Sequence, residues 1–239
     1  MNSWRGEKGR RLLRFPDLLD AADQIDGSYW LSFLTSHPKD FSPELVNVLA
    51  DGRHISPYVN LPVQSGSDTV LARMNRKYTT RDYRKVAESL RKRVPGVRLC
   101  TDIIVGFPGE TEMEFNETVS FIKNMQFGMI YLAKYSPRPG TAAFSLPDSI
   151  PEEEIERRRR IVEDVQSSIM KKLNKARVGS SVQVRMTGHG RGLTFELTEI
   201  TIEGGEDEGK GGHSGEVGSF INVVVTEGSA GGLRGRVAV

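Results

Sequence analysis

Cysteine is nearly missing from this chain: Cys100 stands alone among 239 residues. That excludes an internal disulfide and any metal or iron–sulfur site built on this chain's own thiolates. Its neighbours Leu99 and Thr101 sit in an apolar run, so Cys100 reads as a small buried hydrophobe. Long apolar runs are missing too. Nothing approaches the roughly 18 apolar residues of a spanning helix. The opening MNSWRGEKGRRLLRF lacks the apolar centre of a signal peptide. The expected location is the cytoplasm, with neither membrane nor DNA as a partner. His189 and His213 lie in glycine-rich turns without a neighbouring ligand type and read as exposed bystanders.

What is present suffices for a folded core. Hydrophobic residues make up 37% and charged residues 27% of the chain, and the length suits one large and one small domain. The net charge of +2 is unevenly spread: residues 177–239 carry six basic and eight acidic groups. Between Arg73 and Arg98 ten basic residues face only Asp82 and Glu88. Such a stretch either solvates helix faces or forms a phosphate-binding surface.

Residues 15–25 have helical apolar spacing, with Pro16 in the first turn. Tyr29–Leu34 and Pro57–Val63 read as strands. Between them Ser42 caps a helix that has Pro43 at its first position and runs to about Asp51. Two further helices are expected, one over SGSDTVLARM and one over Thr80–Lys92. Val97–Val105 is the most strand-like segment, followed at once by GFPGE. Thr111 and Glu114 form a capping box for a helix ending near Met125, and Gly128–Tyr135 is another strand. Alternating strands and helices predict an α/β fold with a parallel sheet, whose ligands bind at the carboxyl ends of the strands. Ser149 and Glu152 form a second capping box, opening a long charged helix that reads as a connector. Beyond Gly179, short β-type runs between glycine-rich turns predict a small antiparallel barrel, with GGEDEGKGGHSG as an acidic loop.

Strand-end loops of small residues suit phosphates, carboxylates and nucleoside hydroxyls, because backbone N–H groups can approach the ligand. LPVQSGS (61–67) and TDIIVGFPGET (101–111) are such loops. In order with TSHP (35–38), RMNRKYT (73–79) and YSPRPGT (135–141), they closely resemble the MiaB-type tRNA methylthiotransferases of the radical S-adenosylmethionine (SAM) class. The resemblance is strong over about residues 2–177. It is weak over 178–239, which resembles the small RNA-binding barrel called TRAM.

The resemblance implies a partial radical SAM (βα) barrel over residues 1–148, a connecting helix over 149–177 and a TRAM-like barrel over 178–239. It implies methylthiolation at C2 of a prenylated adenosine beside the anticodon of tRNA, with SAM as methyl donor and radical source. The family uses two [4Fe–4S] clusters. Their cysteine ligands have no counterpart here, so the chain is expected to start inside the catalytic domain, to bind no cluster and to be inactive alone. The site residues implied are Gln64, Ser65 and Gly66 for the ribose and amino-acid end of SAM. Asp102, Gly106 and Phe107 would lie near its adenine or methionine part, and Tyr135 on the same rim. Ser36 and His37 would face the substrate side; for tRNA the resemblance alone would point to the barrel, whereas the basic stretch points to Arg76 and Lys77. None of these is a metal ligand. His37 reads equally as a turn residue before Pro38. Two departures stand out: Asn60 occupies a position usually held by His, and the barrel lacks a clear glycine-arginine-threonine turn. Three alternatives remain: a methylthiotransferase acting on threonylcarbamoyladenosine, one acting on a ribosomal protein, and a non-catalytic RNA-binding remnant.

Overall fold

The computed structural model describes residues 4–8, 11–34, 37–146, 150–203 and 216–238. The chain divides into two compact units: residues 1–55 with 59–166, and residues 56–58 with 167–239.

The first unit opens with a hairpin that the sequence pattern does not suggest, β1 (Arg5–Lys8) against β2 (Arg11–Arg14). Helix α1 (Phe15–Asp23) follows. Tyr29–Leu34, expected as a strand, makes only an isolated parallel bridge between Leu31 and Ile55. One pairing residue does not sustain a ladder, and the conformation around it stays irregular. Helix α2 (Pro43–Asp51) begins as the sequence predicts: the Ser42 hydroxyl accepts from the Leu45 N–H at 3.3 Å.

The sheet of this unit has the order β3 (Tyr58–Asn60), β4 (Arg98–Val105), β5 (Met129–Lys134), with β4 and β5 parallel. Strand β3 is shorter than the run 57–63 predicts. Pro62 has no N–H to give to a ladder. Thr101 bridges the gap with its side chain: its hydroxyl donates to the Leu61 carbonyl at 2.9 Å and accepts from the Val63 N–H at 2.9 Å. A single parallel bridge follows at Gln64, paired with Ile103.

Helices α3 (Asp68–Arg73), α4 (Thr80–Arg93) and α5 (Glu112–Met125) follow the sequence closely. Each of α4 and α5 starts with a capping box, Thr79 with Asp82 and Thr111 with Glu114. Such a cap contributes about 1 kcal/mol. The core includes Leu61, Tyr83, Leu90, Ile103, Phe115 and Ile122, all at most 1% exposed. The buried Tyr83 hydroxyl does not go unpaired; it donates to the Leu61 carbonyl at 2.7 Å.

Helix α6 runs from Glu152 to Lys175. The expected cap Ser149 lies outside the described residues, as do Thr35, Ser36 and the acidic loop 204–215 with His213. The second unit holds a closed barrel of β6 (Ser181–Gly188), β7 (Arg191–Thr194), β8 (Glu199–Ile202), β9 (Phe220–Ser229) and β10 (Gly232–Val237). Its ring order is β10-β8-β7-β6-β9. The barrel is not wholly antiparallel, because β10 pairs with β8 in parallel. Parity explains this. Strand directions cannot alternate all the way round a ring of five, so at least one neighbouring pair must run the same way. Val184, Met186, Ile200, Ile202, Val223, Val225 and Leu233 alternate along their strands to fill the interior. No helix among the described residues is long and apolar enough to cross a membrane.

Candidate functional site

The carboxyl ends of the parallel strands carry two adjoining cavities that share Ile104 and Ala133 as a wall. The first, about 520 Å³, is lined by Asn60, Gln64, Asp102 and Leu34 with residues of β4 and β5. Gln64 reaches it by an unusual backbone. Its φ is +75°, a region L-residues seldom adopt, and it is pinned there on both sides. Its N–H donates to the Asp102 carbonyl at 2.9 Å, and its carbonyl accepts from the Ile104 N–H at 2.9 Å. Strain of this kind persists only where the surroundings fix it, and it concentrates at binding sites.

Asp102 is half-buried on β4, with the Asn60 amide 3.5 Å from one carboxylate oxygen. Burial pushes its carboxyl above the ordinary range; Asn60 and the charge of Arg76 oppose the shift. The Asn60 side-chain oxygen is itself buried without a hydrogen-bond partner. Native proteins seldom leave such an atom unpaired, so it marks a place for a donor from a ligand or water.

The remaining residues of QSGS turn inward. The Ser65 hydroxyl lies 3.1 Å from that of Thr118, and the Gly66 N–H donates to the same oxygen at 3.0 Å. A Cβ on Gly66 would stand 2.6 Å from the Thr118 Cα, so the loop packs against α5 only as glycine. Gly106, with φ +77°, likewise meets Ile155 of α6 at 2.6 Å, and its N–H donates to the Glu110 carboxylate at 2.9 Å. Ser65, Gly66 and Gly106 thus shape the loops and do not line either cavity.

Phe107 and Tyr135 line the second cavity, ring edge to face at 5.2 Å, together with Arg76. Lys77 is exposed and lines neither cavity. His37 lies against Tyr78, ring centroids 5.3 Å apart, and its Nδ1 accepts from the Lys39 N–H at 3.2 Å. That bond caps a turn. Ser36 lies outside the described residues.

Much of the basic stretch is committed to the fold. Arg73 grips Glu114 through two bonds of 2.8 and 2.7 Å. Arg84 lies over the Phe121 ring at 4.6 Å, Arg91 donates to the Met125 carbonyl, and Arg98 donates to Gly128 at 2.9 Å. The Arg73 contact holds the Glu114 carboxyl down at about 2.

Two features escaped the sequence reading. Asn60 registers there only as a departure, yet it supplies the unpaired acceptor. Glu110 and Arg158 form a buried ion pair at 2.9 Å, 1% and 5% exposed, which fastens the GFPGE turn to α6. Arg158 falls in the run RRRR, where nothing separates it from its solvated neighbours.

Residues 9–122 match the radical SAM superfamily. The chain is 41% identical over 210 residues to the tRNA-2-methylthio-N(6)-dimethylallyladenosine synthase of Treponema denticola, covering 85% of this chain and 46% of that protein. It is 35% identical to the synthase of the same name from Cronobacter sakazakii, covering 99% of this chain and 50% of that one. Among solved structures, coproporphyrinogen III oxidase of Escherichia coli, described as a radical SAM enzyme, matches with TM-score 0.45 at 15% identity, over 60% of this chain and 32% of that one. The chain spans about half the length of the curated relatives it matches. By these sequence matches, residues 9–122 carry a radical SAM domain, and the chain resembles the MiaB-type methylthiotransferases along most of its own length.

Proposed function

We propose that the chain is part of a cytoplasmic enzyme that adds a methylthio group to C2 of N6-dimethylallyladenosine in tRNA. The observation that carries this reading is the match along 85–99% of the chain to synthases named for that product. In this reading residues 1–148 form a partial (βα) barrel, 149–177 the connecting helix and 178–239 the TRAM-like barrel.

The first cavity suits SAM. A nucleoside joined to an amino acid brings hydroxyl and ammonium donors, and the cavity offers acceptors to meet them: the unpaired Asn60 oxygen, the Asp102 carboxylate and the Gln64 amide. When bound, SAM supplies both the methyl group and the radical that the reaction needs. Asn60, Gln64 and Asp102 orient it. Ser65, Gly66 and Gly106 hold their loops at the right approach. Phe107 and Tyr135 wall the neighbouring cavity, where the target base would enter. An iron–sulfur cluster, by contrast, does not fit the residues present. Its usual ligands are several thiolates, whereas Cys100 is single and fully buried on β4.

The test is nucleoside mass spectrometry of tRNA from an organism in which this coding sequence is disrupted. The methylthio nucleoside should vanish and its N6-dimethylallyl precursor accumulate. An unchanged ratio of the two would refute the reading.

A further inference from the structure

We propose that the second cavity is a phosphate subsite for the RNA backbone, with Arg76 and Arg138 as its guanidinium donors and the Tyr135 hydroxyl as a third. This rests on the function proposed above and adds to it the group that grips the RNA next to the reacting base.

The cavity, about 520 Å³, has four cations in its lining, Arg73, Arg76, Lys134 and Arg138, and no carboxylate. Two of the four are already neutralised. Arg73 is held by Glu114, and Lys134 by Glu152 at 2.6 Å. Arg76 and Arg138 have no ion pair among the described residues. The Arg76 Nε is buried and unpartnered, and so is the Tyr135 hydroxyl. Arg76, Arg138 and Tyr135 line one cavity that has no carboxylate, and two of them carry a buried donor atom without an acceptor; such a set suits an anion with several oxygens, the group that arginine forks match best.

The fold positions Arg76 with care. Helix α3 ends in a left-handed residue, Asn75 at φ +56°. The Arg76 N–H then donates back to Leu71 and the Asn75 N–H to Ala72, both at 2.9 Å, closing a Schellman turn. Arg138 comes from the opposite side, in the turn after β5 whose carbonyl accepts from the Thr141 hydroxyl at 2.8 Å. The floor of Ile104, Phe107 and Ala133 is apolar, so it offers these donors no competing side-chain acceptor.

A carboxylate, including that of SAM, is the other anion such donors could take, and the experiment separates the two. Binding of a stem-loop RNA carrying N6-dimethylallyladenosine is followed by fluorescence anisotropy across a salt series, and SAM binding by calorimetry. Arg76→Gln and Arg138→Gln should each weaken RNA binding about tenfold. Together they should flatten the salt slope by about 0.7 for each phosphate no longer neutralised. Arg138→Lys should keep the slope, since it keeps the charge. SAM affinity should not change in Arg138→Gln, because the Arg138 charge does not bear on Asp102. Because Arg138 is exposed, its replacement leaves the fold intact and the test stands even if Arg76→Gln destabilises. Unchanged RNA affinity and slope in both glutamine variants would overturn the proposal, as would a loss confined to SAM or a wild-type chain that binds no RNA. If the subsite variants lose RNA while the nucleosides of disrupted cells stay unchanged, the subsite stands and the methylthiolation reading falls.

Discussion

At the residue scale, the balance of charge and burial around two carboxylates sets the pH behaviour. Asp102 has a raised pKa, chiefly from burial. As an acceptor for SAM it must be ionised. Affinity should therefore climb as pH rises above the ordinary carboxylate value of about 4 through the raised one. Asp102→Asn should remove that climb, and calorimetry at a series of pH values reads it. Glu114 is the opposite case. Arg73 lowers its pKa to about 2. Its contribution to stability is complete above the unfolded value of about 4.3 and disappears as pH falls toward 2, an effect on the order of 2–3 kcal/mol for a group so little exposed. Urea unfolding at neutral and acid pH should show this loss in the wild type and much less of it in Glu114→Gln.

At the element scale, α6 is more than the connector its charged sequence suggests. Arg158 reaches the Glu110 carboxylate and carbonyl, both at 2.9 Å, and so fixes the turn that leaves β4. Arg158→Met would strand a buried carboxylate and should cost about 3–5 kcal/mol in chemical denaturation. The pair Arg158→Met with Glu110→Leu should recover much of that, since a buried ion pair is often no better than apolar packing. Helices with strong local signals were plain in the sequence: Ser42 and Thr111 cap where their spacing places a start, and the helix expected from Thr80 begins there. The run 29–34 reads as a strand but forms only a single bridge, because apolar alternation does not reveal whether a partner strand lies alongside. Of the site, Gln64 and Asp102 were legible through their loops. The inward turn of Ser65 and Gly66 was not, since their partner Thr118 lies some fifty positions away and is fixed only by tertiary packing.

At the scale of the whole chain, charge and packing divide between the units. The barrel relies on a small apolar centre with Met186 fully buried. Met186→Ala should destabilise it by about 2–5 kcal/mol, which a thermal melt would register. The acidic excess of residues 177–239 sets that segment against a polyanion. RNA affinity and its salt dependence should therefore respond less to Arg185→Gln than to the subsite variants.

Parity also decides where the barrel opens. A ring of five strands has a seam by arithmetic, and here it is β8 beside β10, joined over three residue pairs, Leu233–Ile200, Arg234–Thr201 and Gly235–Ile202. By contrast β10 meets β9 over six. A parallel ladder this short is a weak join, matched in length by the three antiparallel pairs of β7 with β8. In hydrogen exchange its amides should open before those of Val184 and Val223 on the β6–β9 side. The groove lined by Glu199, Thr201, Gly232 and Arg234 runs along this seam. A short parallel join and an accessible groove therefore share one place on the barrel.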